Sequence, residues 1–103
     1  MARTYKQHIL WEPWESSGYK SSSGAIKSGP GRVGGIIIIT DGTNDATVIL
    51  RDGGSSGTQK VYGYCAGSDV TNTVMLPPPG VRFDTDIYLS LSGTNATVIV
   101  LYK

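Results

Sequence analysis

Apolar residues in this chain come in short clusters rich in valine, isoleucine and threonine, separated by Gly, Asp, Asn, Ser and Pro. No stretch sustains a 3.6-residue period over three turns, so no long helix is expected. Residues 36–40, four isoleucines and Thr40, form a run that is apolar on both faces and stops at Asp41-Gly42, a turn signal. Residues 46–51 follow, then a Gly/Ser loop over 52–57. Residues 59–65 put Val61, Gly63 and Cys65 on one face and Lys60, Tyr62 and Tyr64 on the other, as the two-residue period of a strand dictates. Residues 71–76 make a further strand, and the prolines of 77–80 break it because proline donates nothing to a ladder. Residues 81–83 form a short extended piece. Residues 87–91 point Ile87, Leu89 and Leu91 inward and Tyr88 and Ser90 outward. In the last strand, residues 96–102, Ala96, Val98, Val100 and Tyr102 line one face and Thr97, Ile99 and Leu101 the other. About seven or eight short strands joined by turns predict an all-β, antiparallel β-sandwich, jelly-roll or Ig-like.

The chain echoes itself. Gly42-Thr-Asn-Asp-Ala-Thr-Val-Ile-Leu50 is similar to Gly93-Thr-Asn-Ala-Thr-Val-Ile-Val-Leu101. Either two segments share one turn chemistry or a segment was duplicated. On both readings, two hairpins are expected: residues 36–40 with 46–51, and residues 87–91 with 96–102.

Composition shifts near Gly34-Gly35, dividing the chain into an N-terminal arm and linker, residues 1–34, and a sandwich core, residues 35–103. Residues 16–24 are nearly all Ser and Gly with one Tyr and one Lys, the make-up of a flexible linker, and residues 28–31 read as a turn. Residues 5–11 and 24–27 are candidate short strands. Tyr5, Trp11, Trp14 and Tyr19 all fall in this polar region. Aromatic side chains are favoured at protein interfaces, so the arm is expected to dock on another chain rather than fold back on its own sandwich. A second surplus lies in the core. Ile37, Ile39, Ile99 and Leu101 occupy the second face of strands whose first face already fills a small core, and burial against a neighbouring subunit or the arm would cover them.

With 103 residues the chain is one domain. Nine Lys and Arg against eight Asp and Glu leave a net charge of +1, with the basic residues dispersed; nucleic-acid binders cluster theirs, so no nucleic-acid partner is expected. The longest apolar run is far short of the ~20 residues of a membrane span, and the N-terminus has no apolar signal core, which leaves the Asn95-Ala96-Thr97 glycosylation pattern idle. One cysteine, Cys65, permits no internal disulfide and suits a reducing cytosol. One histidine, His8, with Cys65 and any aspartate would complete a nucleophilic triad on paper, but no local signature supports it. Asp41, Asp45, Asp52, Asp69, Asp84 and Asp86 sit at strand ends, where aspartate shapes turns by accepting backbone N–H bonds. Calcium on two such loops is the competing reading, and EF-hand spacing is absent. The glycine-rich stretches 29–35 and 53–54 lack the Gly-Lys-Ser/Thr element of a phosphate loop. No catalytic residue, cofactor or metal ligand is therefore assigned, and no enzyme activity is expected.

Residues 35–53, Gly-Ile-Ile-Ile-Ile-Thr-Asp-Gly-Thr-Asn-Asp-Ala-Thr-Val-Ile-Leu-Arg-Asp-Gly, together with Pro79-Gly-Val-Arg-Phe-Asp84, Ile87-Tyr-Leu-Ser-Leu-Ser-Gly93 and Ala96-Thr-Val-Ile-Val100, resemble small virion structural proteins of tailed bacteriophages. The resemblance is one of strands and turns over roughly residues 33–102 and carries no catalytic motif. It implies a compact sandwich used as a capsid decoration or cement protein that binds the shell as a homo-oligomer. The implied partners are the major capsid protein or other virion proteins, and the implied location is the virion, after synthesis in the host cytoplasm. A head–tail, tail or fibre component is the alternative within that class. A carbohydrate-binding module, with Trp11, Trp14 and the tyrosines stacked on sugar rings, is the alternative outside it.

Overall fold

The computed structural model describes residues 14–103. Nine strands follow in order: β1 Glu15–Ser16, β2 Gly24–Ser28, β3 Gly31–Ile39, β4 Ala46–Asp52, β5 Thr58–Cys65, β6 Thr71–Met75, β7 Val81–Phe83, β8 Asp86–Ser92 and β9 Thr97–Tyr102. They form two antiparallel sheets. The first has the order β1-β9-β3-β6, with β7 also on β3, and the second β2-β8-β4-β5. The expected all-β sandwich is thus the fold. With β7 taken as an extension of the β6 edge, the facing orders 1-9-3-6 and 2-8-4-5 are those of a jelly roll. Of the expected N-terminal arm, residues 1–34, residues 1–13 lie outside the described residues, and with them the candidate strand 5–11.

The core lies between the sheets. Val33, Ile36, Ile38, Val98 and Val100 from the first sheet, with Phe83, meet Val48, Leu50, Ile87 and Leu89 from the second, all fully buried. These are the inward positions that alternation assigns, and Val61 and Cys65 on β5 join them. Gly63 completes that row for a steric reason: a Cβ there would lie 2.7 Å from Ile36 Cδ1 and 3.0 Å from Ile38 Cδ1. Leu91, expected inward, is only half-buried.

The two expected hairpins do not form. β3 pairs with β9, β6 and β7, whereas β4 pairs with β8 and β5. Residues 40–45 and 93–96 are therefore arches that carry the chain from one sheet to the other. The physical reason lies in the loop's own bonds. Thr40 is buried; its Oγ1 donates to the Gly67 carbonyl at 3.0 Å and its N–H to the Val70 carbonyl. These bonds hold the end of β3 on the β5–β6 connection and send the following residues across the core.

The division at Gly34-Gly35 falls inside β3, and the described part of the expected arm belongs to the sandwich. Val33 is fully buried, Ile26 packs on the core, β2 pairs with β8 and β1 with β9. The serine-rich stretch is stitched down, not loose. The Val100 N–H donates to Ser17 Oγ at 2.8 Å and the Leu91 N–H to Ser23 Oγ at 2.9 Å, while Lys20 and Val98 exchange a pair of backbone bonds. Polar composition suggested a linker because edge strands need few apolar side chains when hydroxyls and backbone groups supply the bonds.

The topology has a direct check. Ile37 and Ile99 are register partners, and facing residues of an antiparallel pair lie about 4.5–5.5 Å apart at Cα, within disulfide range. Ile37→Cys with Ile99→Cys is expected to close within one chain on oxidation. Ile39→Cys with Thr47→Cys, a pair that the hairpin would align, is expected to stay open because the sheets separate them by about 10 Å. Mass spectrometry of the oxidised, alkylated proteins reads both.

Candidate functional site

The outward face of the first sheet gathers the apolar surplus. Ile37 faces Ile99 on β9 and Thr73 on β6; Ile39 faces Thr97 and Thr71; Gly35 lies opposite Leu101 and Met75. Ile37, Ile39, Ile99 and Leu101 are each half-buried, and Met75 is 66% exposed. The four core-strand residues singled out as interface candidates thus form one strip, which Met75 continues. Met75 escaped notice because its strand is otherwise polar.

The aromatic candidates separate. Tyr5 and Trp11 lie outside the described residues, and Tyr19 is exposed. Trp14 lies over Gly34 and Gly80. A Cβ on Gly34 would stand 2.7 Å from the indole Cε2, and one on Gly80 would stand 2.9 Å from Cη2. The Lys103 ammonium is 4.6 Å from the ring centroid, within cation–π range. Gly34 and Gly35 are successive residues between inward Val33 and Ile36, where the β3–β9 register shifts. A bulge of this kind turns both glycines outward, so the indole occupies a slot on the same face as the isoleucine strip, at its Gly31 and Lys103 end.

The outward face of the second sheet is different in kind. Tyr62 and Tyr64 on β5 are 61% and 44% exposed. They flank Ile49 and Thr47 on β4. Arg51 is tethered by two bonds, Nε donating to Ser90 Oγ at 3.1 Å and Nη1 to the Gly57 carbonyl at 3.2 Å. Alternation in β5 already points both tyrosines outward, but their separation from the apolar surplus kept them off the candidate list.

Four of the six strand-end aspartates accept backbone N–H groups, and the Asp84 carboxylate instead pairs with Arg82 Nε at 2.8 Å. Asp41 accepts the Thr43 and Asn44 N–H groups on Oδ1 and the Asn44 and Asn95 side-chain amides on Oδ2. Led by the Asn44 N–H, these bonds hold its carboxyl far below the usual range. Asp45 is lowered by the Gly67 N–H and then by the Tyr64 hydroxyl, whose own pKa rises in return. Asp52 takes the N–H groups of Asp84, Thr85 and Asp86 and is lowered, by Asp84 foremost. Asp86 takes those of Gly53 and Gly54. Carboxylates saturated by backbone donors are turn clamps, the reading preferred over calcium.

Of the paper triad, His8 lies outside the described residues. Cys65 is 1% exposed, and burial pushes its thiol up, away from the thiolate that a nucleophile requires. A shallow cleft of about 190 Å³ over Pro30, Gly31, Arg32, Arg82 and Phe83 is smaller than the ~300–1,000 Å³ of typical small-molecule sites. Among the described residues, the two outward faces are the surfaces that carry exposed apolar and aromatic side chains.

Two outcomes follow. Asp41, Asp45 and Asp52 have folded-state pKa values below their unfolded ones, near ~3.9, so their stabilisation is complete above that value and is lost as pH falls through the folded ones. The urea midpoint is expected to drop on acidification below about pH 4, and Asp52→Asn to flatten that fall. Gly34→Ala is expected to destabilise by about 1–3 kcal/mol through overpacking, but by less than half as much in a Trp14→Ala background. Equal costs in the two backgrounds, measured by urea unfolding, would mean that the indole does not fill the slot.

No family model, curated protein sequence or solved structure matches the chain.

Proposed function

We propose that this protein is a structural subunit of a phage virion, a capsid decoration or cement protein that associates through the outer face of its first sheet. One observation carries the assembly part of this reading: Ile37, Ile39, Ile99 and Leu101 lie side by side on a face that the sandwich does not need for its own core. Fully burying such a side chain contributes about 1.5–3 kcal/mol. These are already half-buried, so each contributes less, against association costs of about 4–15 kcal/mol. Single contacts of that size are weak, and many copies on a shell make up the difference by avidity. The virion part rests on the resemblance of residues 33–102 to small phage structural proteins. Jelly rolls recur in viral capsids and in lectins, and the fold alone does not choose between them. The partners on this reading are further copies of the chain and the major capsid protein or another virion protein, with a head–tail or tail position as the variant. No catalytic role is assigned, in keeping with aspartates already bonded to backbone and a sealed thiol.

The exposed Tyr62 and Tyr64 favour a second reading, a carbohydrate-binding module that stacks sugars on the second sheet. Trp14 is less suited to that role, since its ring lies against Gly34 and Gly80 with Lys103 over it.

Sedimentation velocity separates the two. The full chain is expected to sediment as an oligomer, and the Ile99→Lys, Leu101→Lys variant as a folded monomer. A wild-type monomer at high concentration that is retained on immobilised polysaccharide, and released by Tyr62→Ala with Tyr64→Ala, would overturn the assembly reading in favour of the lectin-like one.

A further inference from the structure

We infer that the first sheet carries an oxyanion site at one end of its outward face, where Arg32 and Arg82 close on a single phosphate or sulfate group. The site stands apart from the assembly reading above, because it requires no second copy of the chain.

The nine basic residues are scattered along the sequence, and folding brings three of them into one row. Arg32 on β3 is the register partner of Arg82 on β7. On its other side Arg32 exchanges two backbone bonds with Lys103: the Arg32 N–H donates to the Lys103 carbonyl, and the Arg32 carbonyl accepts the Lys103 N–H. With both backbone groups turned toward Lys103, Arg32 has none for Arg82. The two arginines therefore form the non-hydrogen-bonded kind of antiparallel pair, in which facing side chains come closest. Val33 after Arg32 and Phe83 after Arg82 are fully buried, so alternation turns both arginines outward. Lys103 belongs to the same row, and its ammonium stands 4.6 Å from the Trp14 ring centroid on that outward face.

Like charges directly opposite one another destabilise a sheet, and the neighbouring acids offset this little. Among the described residues, the one ion pair here is Arg82 Nε with Asp84 Oδ1 at 2.8 Å, and both of its side chains are exposed, so water screens it. Arg32 is half-buried, which screens its charge less. An anion held between the two guanidinium groups removes the conflict. The space for it is present. The cleft of about 190 Å³ is lined by Pro30, Gly31, Arg32, Arg82 and Phe83, too small for an ordinary organic ligand and suited to one compact charged group.

The donor set selects the class of anion. A guanidinium presents a planar fork that matches two oxygens. A carboxylate has only two oxygens, in one plane, and a single charge, so one arginine satisfies it. Phosphate and sulfate carry oxygens at four corners and up to two negative charges, which serves two forks reaching in from neighbouring strands. The ligand is thus a tetrahedral oxyanion, either the free inorganic ion or the terminal group of a larger molecule whose remainder lies outside the cleft.

Equilibrium dialysis of the full chain against radiolabelled inorganic phosphate, at fixed ionic strength in chloride, reads the site in any state of association. Saturation at one phosphate per chain is expected. Arg32→Gln and Arg82→Gln are each expected to weaken binding about tenfold, the loss of one charge-assisted contact. Lys60→Gln removes the same charge from the second sheet and is expected to leave binding unchanged. Should Arg32→Gln fail to fold, Arg32→Lys keeps the stem and the charge but not the fork, and is expected to weaken binding as well. Competition separates the sources. Unlabelled phenyl phosphate that displaces the label at least as well as inorganic phosphate points to a group carried on a larger molecule, and weaker displacement points to the free ion. Absent or unsaturable uptake, equal losses in Lys60→Gln and the arginine variants, or acetate that displaces the label as well as phosphate would each overturn the inference.

Discussion

The β3–β9 ladder joins residues 33–39 to residues 97–102, and the remaining strands are arranged around that long-range pairing. Ile36 opposite Val100 and Ile38 opposite Val98 place four fully buried side chains in the centre of one sheet. The second central ladder, β4 on β8, lies across the core from it. The arches 40–45 and 93–96 connect the two. Exchanging β3 with β8 and β4 with β9 turns one ladder into the other, so the four strands form a unit with internal two-fold character. The echoed Gly-Thr-Asn segments occupy corresponding places in it. Their asparagines, Asn44 and Asn95, both donate to Asp41 Oδ2, at 2.8 and 3.2 Å.

Closing such a unit means satisfying backbone groups where chains change sheets, since a buried unpaired N–H costs about as much as a lost hydrogen bond. Asp41 does this at the arch end. At the opposite end the device is reciprocal: Asp52, finishing β4, caps the N–H groups that begin β8, and Asp86, beginning β8, caps Gly53 and Gly54 beyond β4. The donors around Asp41 and Asp52 hold those two carboxylates in the charged form.

Most strands could be read from the sequence, because period-2 alternation states which side chains point inward. It does not state which sheet a strand joins. Ile36 and Ile38 face the core whether residues 46–51 lie beside them in a hairpin or opposite them across an arch, and the pattern of Ala46, Val48 and Leu50 is the same in both cases. What separates the two is the tertiary anchoring of Thr40 on Gly67 and Val70, distant in sequence and carried by no local motif. The N-terminal segment was hidden for a related reason. Ser17 and Ser23 look like linker residues, yet as acceptors for the Val100 and Leu91 N–H groups they work as edge-strand partners. The isoleucine strip was legible because two apolar faces on one strand conflict with a small core. The indole slot was not, since Gly34 and Gly80 gain their meaning only from the ring that lies on them.

The two outer faces impose different fates on the same sandwich. The first is aliphatic, bordered by threonines, and closed at one end by Trp14. The second is built from Tyr62, Tyr64, Ser90 and a tethered Arg51, groups that tolerate water or polar ligands equally well. Its free edge, β5, is the longer risk, because unpaired strand edges recruit other strands. Lys60 projects from that edge strand, and Asn72 Nδ2 occupies the Tyr64 carbonyl at 2.7 Å, so part of the edge is blocked by charge and by a side-chain bond. Edge-on growth through β5 is therefore disfavoured, and on the proposed assembly reading a subunit covered on its first sheet turns Tyr62 and Tyr64 outward.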